Sequence, residues 1–309
     1  MSRCLVTGAA GFIGSHLAEA LEAAGHEVVG IDSFTDYYDP ARKRANAADL
    51  DVVEDDLVTA DLDELLAGVD GVYHLAGQPG VRASFGPDFE HYVRRNVHAS
   101  GRLFEAAARH GARVVFASSS SIYGDAETYP TREDAPPQPI SPYGVTKLCV
   151  EHLAYAHART AGLEAVGVRY FTVYGPRQRP DMAFTPLLEA LASGEAYRLF
   201  GDGSASRSFT YVADAVDATI AAMEGGASGE LYNVGGGEEA TMGEAIALAE
   251  EIAGRELDVE RNAAAVGDVK RTRADVAKAE RELGWQPTTS LAEGLEAQWE
   301  WVAARVPSP

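Results

Sequence analysis

The first half of the chain alternates short apolar runs with segments whose apolar residues recur at helical spacing. Strands, indicated by apolar and β-branched runs, are predicted at residues 4–7, 27–31, 51–53, 71–75, 113–117 and 165–169. Helices are predicted at residues 12–24, 92–110 and 143–160. Strands that alternate with helices of this length predict βαβ units and a parallel sheet.

The pattern changes after about residue 173, where Pro176, Pro180 and Pro186 mark a loop-rich region. Further strands are predicted at 197–200 and 231–234, and further helices at 212–223, 242–253, 273–283 and 291–302. Thr241 and Glu244 form a capping-box pattern at the start of one of these helices. We therefore predict an α/β fold: a Rossmann-type doubly wound parallel sheet with a smaller C-terminal α/β substrate lobe.

Composition narrows the class of protein. The chain has 309 residues, 46% of them hydrophobic, enough for one large or two modest domains. Its net charge of −21 argues against broad nucleic-acid binding, although a local pocket can still take an anionic nucleotide. The plainer interpretation of the charge is solubility, including solubility at high salt.

Two cysteines, Cys4 and Cys149, cannot form a disulfide framework and fit small core residues better than nucleophiles. The sequence has no leader pattern and no apolar run of about 18 residues. We therefore expect a cytoplasmic protein with no membrane or nucleic-acid partner, and we assign no metal site.

Residues 7–14 form a glycine-rich turn between the first predicted strand and its helix. Gly8 permits the tight turn, Gly11 lets the backbone approach a pyrophosphate, and Gly14 allows close packing of helix on strand. The free N–H groups of the helix then face the phosphates. Asp32, at the end of the second strand, can accept hydrogen bonds from a ribose 2′-hydroxyl and repel a 2′-phosphate. This arrangement predicts NAD rather than NADP; the alternative is a glycine turn without a ligand.

A tyrosine and a lysine lie one helical turn apart at Tyr143 and Lys147. A free phenol has a pKa near ~10. The ammonium, together with the charge of oxidised nicotinamide, favours the phenolate and predicts Tyr143 as a base near neutral pH. Ser119 ends the fifth predicted strand, at the sheet edge where ligands bind, and could share the proton. The alternatives are a chance pair on a helix and a serine-rich loop.

Several motifs then combine, at residues 7–14, 32, 56–57, 74–77, 96, 118–124, 143–147 and 207–212. Together they resemble the NAD-dependent epimerase/dehydratase family, the extended short-chain dehydrogenases, along essentially the whole chain. We assign an NAD-binding Rossmann domain to residues 1–173 plus about 208–236. A nucleotide-sugar-binding lobe is assigned to about 174–207 plus 237–309. Relatives in this family lead us to expect a homodimer.

The turn and the resemblance together imply the site residues. The predicted catalytic residues are Ser119, Tyr143 and Lys147. The predicted cofactor-binding residues are Gly8, Gly11, Phe12, Ile13, Gly14, Asp32, Asp56, Leu57, Leu75, Ala76, Asn96, Tyr143, Lys147 and Tyr170. The predicted substrate-binding residues are Gln78, Arg82, Ser119, Ser120, Thr172, Arg179, Phe200, Arg207, Asp268 and Arg271.

Within the substrate lobe the resemblance gives individual roles. Arg207 would hold the substrate diphosphate, a bidentate task suited to a guanidinium, and Arg271 would add positive charge for the phosphates. Asp268 would contact the nucleotide ribose. Phe200 would stack on the base, or would be a core aromatic.

The resemblance also implies a reaction. Family members open with proton removal by tyrosine and hydride transfer from sugar C4 to NAD, which gives a 4-keto sugar. Relatives that dehydrate or decarboxylate usually carry an acid in the second or third position of the segment 119–121, where this chain has Ser120 and Ser121. That favours return of the hydride to the other face of the sugar, a 4-epimerisation.

Residues 170–182 resemble the pattern of UDP-glucuronate 4-epimerases, and Thr172 stands where UDP-glucose 4-epimerases commonly have asparagine. We therefore expect Ser119, Ser120, Thr172 and Arg179 to engage the C6 carboxylate of a uronate. The alternatives are a UDP-glucose/galactose 4-epimerase or a related enzyme acting on another nucleotide sugar, and an NAD-binding sensor without turnover. Arg179 could instead be a loop or interface cation.

Overall fold

The central sheet is built from short apolar runs covered on both faces. Leu5 and Val6 in the first strand, and Val114 and Val115 in the fifth, are fully buried. Near-continuous apolar runs of this kind are typical of parallel strands that carry helices on both sides. The computed structural model describes residues 1–263 and 267–306 of the chain.

The strands and helices alternate through the first half of the chain. The strands are β1 (Arg3–Thr7), β2 (Glu27–Asp32), β3 (Val52–Glu54), β4 (Gly71–His74), β5 (Arg113–Ser119), β6 (Ala165–Tyr170), β7 (Val173–Tyr174), β8 (Tyr197–Phe200), β9 (Ser206–Ser208), β10 (Thr210–Tyr211), β11 (Leu231–Val234), β12 (Glu239–Thr241) and β13 (Val259–Asn262). The helices are α1 (Phe12–Ala23), α2 (Pro40–Asn46), α3 (Leu62–Leu65), α4 (Phe89–Tyr92), α5 (Ala99–His110), α6 (Pro142–Ala161), α7 (Phe184–Ser193), α8 (Val212–Gly225), α9 (Met242–Ala253), α10 (Ala277–Leu283) and α11 (Leu291–Ala303).

The seven strands of the main sheet are ordered β11-β6-β5-β4-β1-β2-β3, and every neighbouring pair is parallel. At the end of β1, Thr7 lies between Ile31 of β2 and His74 of β4. The strand order therefore reverses between β1 and β4. In open α/β sheets a ligand binds at such a reversal, outside the carboxyl ends of the strands.

Helices cover both faces of this sheet. On one face α1 and α8 pack together, with α10 beside them, and on the other α5 packs along α6. The predicted Rossmann-type doubly wound sheet is confirmed. In the described ranges, no helix is both long and apolar enough to cross a membrane.

The C-terminal part builds a smaller α/β layer beside the sheet. Helices α7, α9 and α11 surround the parallel pair of β8 and β13. The chain first returns to the main sheet, where β11 pairs with β6 at the edge. The capping box of Thr241 and Glu244 is present. The division into two domains at the stated boundaries stays a prediction.

Helices α2, α3 and α7 were missed from the sequence. Asp39 caps α2 and Pro40 occupies its first turn, and α7 carries Pro186 in its first turn. Proline is tolerated there because the first N–H groups of a helix have no partner within it, so the prolines of the loop-rich region did not exclude a helix. The predicted helix over 92–110 is divided, since π-helical turns at Val93–His98 join α4 to α5. The helix predicted over 273–283 covers only Ala277–Leu283.

Candidate active site

The carboxyl ends of β1, β4 and β5 open into a cavity of about 1160 Å³. The cavity runs from the loops that follow β1 and β2 to the start of α7 and to β8 in the smaller lobe. Sites for one small molecule are typically about 300–1,000 Å³, so this volume suits two ligands placed end to end.

The glycine turn forms the floor of the cavity below the sheet reversal. Gly8 has a φ of 73°, and a Cβ there would lie 2.9 Å from the backbone nitrogen of Ala76. At Gly14 a Cβ would lie 2.1 Å from the Gly8 carbonyl oxygen, so helix α1 approaches the turn as closely as a backbone can. No side chain caps the start of α1 at Gly11. The bare helix N-terminus above this turn fits the pyrophosphate of a dinucleotide.

Asp32 is buried and lines the cavity beside the turn. Its Oδ1 accepts hydrogen bonds from the backbone N–H of Phe34 (2.8 Å) and from Nζ of Lys43 (3.1 Å). Asp56 and Leu57 also line this end of the cavity, as expected for an adenosine site. Lys43, which belongs to the unpredicted helix α2, is a cavity residue that the sequence reading missed.

The structure brings the three predicted catalytic side chains together. Ser119 ends β5, and Tyr143 and Lys147 lie one turn apart on α6, and all three line the cavity. Nζ of Lys147 donates to the carbonyl oxygen of Ala117 at 2.9 Å. Ser119 Oγ accepts from the N–H of Ser121 and donates to Oγ of Ser121, both at 3.1 Å, and it lies close enough to the Tyr143 phenol to influence its pKa.

Burial governs the proton affinities of this group. It raises the pKa of Tyr143, while the nearby Ser119 hydroxyl and the charge of Arg179 oppose the rise. Burial also lowers the pKa of Lys147 to about 8, opposed by the carboxylate of Glu151. In the protein without NAD the pKa of Tyr143 is therefore raised, because the cost of burying a phenolate is the largest effect. The sequence-based prediction combined the Lys147 ammonium with the charge of oxidised nicotinamide, and it stays a prediction for the NAD-bound protein.

Most of the predicted site residues line the cavity. They are Gly8, Gly11, Phe12, Ile13, Gly14, Asp32, Asp56, Leu57, Leu75, Ala76, Gln78, Arg82, Ser119, Ser120, Tyr143, Lys147, Tyr170, Thr172, Arg179, Phe200, Arg207 and Asp268. The sequence therefore predicted both ends of the cavity from motifs more than 250 residues apart.

Asn96 lies behind the cavity wall and is not among the lining residues. Its Oδ1 accepts from the backbone N–H of Gln78 (2.6 Å), and its Nδ2 donates to Oγ1 of Thr146 (3.0 Å). The side chain thus ties the loop after β4 to α6. Asn96, a predicted cofactor residue, therefore has a supporting position, because both ends of its amide are used by the protein.

Three predicted substrate residues meet across the cavity mouth. Arg82 forms an ion pair with Asp268 at 2.8 Å, and its guanidinium lies 4.4 Å from the centre of the Phe200 ring. Phe200 is 45% exposed, so it is not a core aromatic. Arg207 lines the cavity nearby and donates to the carbonyl oxygen of Val269 at 2.6 Å. This end of the cavity is cationic and aromatic, as a nucleoside diphosphate requires.

Arg271 does not line the cavity. Its guanidinium donates to both carboxylate oxygens of Glu239, at 2.7 and 2.8 Å, and stacks 4.7 Å from the ring centre of Tyr129. The predicted role on the phosphates is not supported, since Glu239 neutralises the charge and holds the side chain aside.

Three lining residues near Tyr143 were also missed. Tyr37 and Tyr38, in the loop after β2, and Asp181, in the loop after β7, lie close to Arg179. The paired tyrosines five and six positions after Asp32 were the available signal, because loops beside a ligand site often carry binding residues.

Comparison with known proteins gives consistent matches. Residues 4–235 match the model of the NAD dependent epimerase/dehydratase family. The chain is 42% identical over 302 residues to an uncharacterized UDP-glucose epimerase of Bacillus subtilis, covering 95% of each. It is 36% identical over 327 residues to UDP-glucuronate 4-epimerase 3 of Arabidopsis thaliana, covering 96% of this chain and 75% of the relative.

Among solved structures, the UDP-glucuronic acid 4-epimerase of Bacillus cereus, in complex with UDP-glucuronic acid and NAD, is 41% identical. The two structures superpose with a TM-score of 0.94, over 97% of this chain and 98% of that one.

Proposed function

Because the chain belongs to the NAD dependent epimerase/dehydratase family, we propose that it is a UDP-glucuronate 4-epimerase that works with tightly bound NAD. It would interconvert UDP-glucuronate and UDP-galacturonate. The observation that carries this proposal is that Ser119, Tyr143, Lys147 and Arg179 line one cavity. Ser120 and Ser121, which follow Ser119, stand where dehydratases usually carry an acid.

The cofactor fits the first half of the cavity. The glycines let the turn, the start of α1 and the loop after β4 pack closely, which leaves the uncapped start of α1 for a pyrophosphate, and the carboxylate of Asp32 keeps Oδ2 for a ribose hydroxyl. Bound NAD would supply reversible hydride transfer at sugar C4.

The chain's own residues manage the proton. Tyr143 takes the proton of the sugar 4-hydroxyl through its phenol oxygen and gives it back at the end. Ser119, close to that phenol, holds the sugar oxygen in line. Lys147, buried one turn away, supplies a positive charge that favours the phenolate. The 4-keto sugar must turn over between the two hydride steps, and the cavity volume allows such a rotation.

A carboxylate at C6 needs its own site. Ser119, Ser120, Thr172 and Arg179 lie around the same end of the cavity, and we assign them to the carboxylate. A 4-keto uronate is a β-keto acid. It loses carbon dioxide when the C5–C6 bond aligns with the ketone π system, because the bonding electrons then pass into the carbonyl. A fixed carboxylate keeps that bond out of alignment and protects the intermediate.

The test is a panel of UDP-sugars incubated with the purified protein, with products identified by NMR and mass spectrometry. We expect UDP-galacturonate from UDP-glucuronate, at higher kcat/KM than UDP-galactose from UDP-glucose. Arg179→Ala should slow epimerisation of the uronate and release carbon dioxide. Turnover of UDP-glucose alone would overturn the proposal, and unchanged uronate turnover in Arg179→Ala without decarboxylation would overturn the carboxylate assignment.

A second candidate is a UDP-glucose 4-epimerase, favoured by the 42% identity to the uncharacterized UDP-glucose epimerase of Bacillus subtilis. The same panel decides between them. A non-catalytic NAD sensor is disfavoured by the complete set of Ser119, Tyr143 and Lys147.

A homodimer is the proposed assembly. Helices α5 and α6 pack together on one face of the sheet, and α6 leaves Val145 (43%) and Tyr155 (62%) exposed. A second copy of the same helix pair would cover them, in a closed two-fold arrangement. Light scattering should give twice the 32.8 kDa chain mass, and a monomer at micromolar concentration would contradict this. The cytoplasmic location stays a prediction.

A further inference from the structure

Arg179 is held by one edge of its guanidinium. Its Nε donates to Oδ1 of Asp181 at 2.9 Å, and its Nη2 donates to Oδ2 at 3.1 Å. This is a side-on bidentate pair, and within the described residues no protein group accepts a hydrogen bond from Nη1. A guanidinium has two edges that can each take a planar carboxylate, and the end-on edge of Nη1 and Nη2 is left over.

Asp181 is in turn fixed from the other side of the cavity. The hydroxyl of Tyr37 donates to its Oδ2 at 3.1 Å. Tyr37 comes from the loop after β2, and its hydroxyl lies against Gly80, where a Cβ would be 2.1 Å away. The orientation of the carboxylate is therefore set by a residue more than 140 positions earlier in the chain.

The backbone that carries Arg179 is anchored independently of Asp181. Arg177 forms an ion pair with Glu19 of α1 at 2.7 Å, and the Gln178 side chain bonds the start of α7 at Thr185 (3.0 Å). The loop therefore has anchors that do not involve Asp181, and the contact with Asp181 sets where the Arg179 guanidinium points.

The held guanidinium lies within electrostatic reach of the catalytic phenol. The charge of Arg179 lowers the pKa of Tyr143 and that of Asp181 raises it. Both side chains line the cavity that Tyr143 also lines. The guanidinium of Arg179 therefore lies in the same part of the cavity as the reacting oxygen.

We propose that Asp181 is a positioning residue that sets substrate specificity: it holds Arg179 by the Nε–Nη2 edge so that the end-on edge meets the sugar carboxylate. Tyr37 orients Asp181 for this task. The proposal rests on the proposed function and deepens it. The Arg179–Asp181 pair is neutral overall. The preference for a uronate therefore comes from the direction of two N–H groups, and net charge contributes little to it.

Removal of the Asp181 charge separates direction from charge because the two effects have opposite signs. If attraction by net charge set the preference, Asp181→Asn would strengthen uronate binding, since Arg179 would lose its neutralising partner. If direction sets it, Asp181→Asn weakens uronate binding. The amide offers one acceptor instead of two and turns an NH₂ group toward Arg179.

The experiment measures dissociation constants of UDP-glucuronate and UDP-glucose by calorimetry on the NAD-loaded protein, in a Tyr143→Phe background that stops turnover. We expect Asp181→Asn to lower the preference for the uronate about tenfold, with the affinity for UDP alone unchanged. Tyr37→Phe should lower it about threefold in the same direction. In the native background, Asp181→Asn should release carbon dioxide from UDP-glucuronate and keep its turnover of UDP-glucose.

Glu19→Gln is the matched control, since it removes the other ion pair of the same loop without touching Arg179. It should leave the preference unchanged, and an equal loss there would show a general loosening of the loop and overturn the proposal. An unchanged or increased preference in Asp181→Asn would also overturn it. Failure of the proposed function has a different signature: the unaltered protein would not form UDP-galacturonate, whatever its binding preference.

Discussion

Lys147→Met is expected to stabilise the folded protein at neutral pH while abolishing turnover. Lys147 is 7% exposed, and burial lowers its pKa from 10.5 to about 8. An ammonium that must be buried costs stability, and methionine fills a similar volume without a charge. The catalytic lysine therefore lowers the stability of the folded protein, although turnover requires it.

The lowered pKa of Lys147 determines how the stability of the protein changes with pH. The folded pKa lies below the unfolded one, so between pH 8 and 10.5 the unfolded chain binds more protons and stability rises with pH. Below pH 8 the penalty of Lys147 is fully present and amounts to about 3 kcal/mol. By pH 10 about 2.5 kcal/mol of it has been regained. Loss of the hydrogen bond to Ala117 costs about 1 kcal/mol at every pH.

The variant should therefore be about 2 kcal/mol more stable than the parent at pH 7 and slightly less stable at pH 10. Urea denaturation of the NAD-free protein at pH 7, 8.5 and 10 measures the difference at each pH. Tyr143→Phe is the matched control, because it also removes turnover but keeps the ammonium. Its difference should change by less than about 0.5 kcal/mol over the same range. A Lys147→Met difference that does not vary with pH would refute the reasoning.

Three further outcomes are expected. Glu151→Gln should destabilise the protein by about 3–5 kcal/mol, because the buried Arg169, which donates to Glu151 at 2.8 and 2.9 Å, loses its counter-charge. Thermal unfolding measures the loss, and a change below about 1 kcal/mol would contradict the expectation. Asp32→Ser should shift cofactor preference from NAD toward NADP, since it removes the ribose acceptor and frees the Lys43 ammonium for a 2′-phosphate. Titration with both dinucleotides tests this, and an unchanged ratio of the two dissociation constants would argue against the role assigned to Asp32. Raising KCl from about 0.1 to 1 M should raise the unfolding temperature. The Debye length falls from about 10 to 3 Å, so the acidic side chains behind the net charge of −21 repel one another less. A lower unfolding temperature in KCl would count against this.

Local sequence patterns predicted much of the fold. The strands at 197–200 and 231–234 were placed to the residue, because apolar runs bounded by turns carry their own signal. Prediction failed where a rule has an exception that only context reveals. Helix α7 begins among prolines that are harmless in a first turn, and α2 is a short polar helix whose capping signal was overlooked.

Site residues fall into the same two groups. Gly8, Gly14 and Tyr143 belong to short motifs whose functional residues lie a few positions apart in the chain. The spacing within each motif was therefore enough to identify them. Arg271 and Asn96 were assigned by resemblance, and the structure gives each a partner that occupies it. Whether a side chain faces a ligand or a neighbour depends on the nearest acceptor in space, and sequence spacing does not contain that information.

The sequence by itself determined the layered α/β fold, the dinucleotide turn and the tyrosine–lysine pair, because periodicity and short motifs depend on residues close together in the chain. Only the tertiary structure decided the proton affinity of Tyr143, the burial of Lys147 and the edge by which Asp181 holds Arg179. Those properties depend on desolvation and on distances of about 3 Å between residues far apart in sequence, which exist only after the chain has packed.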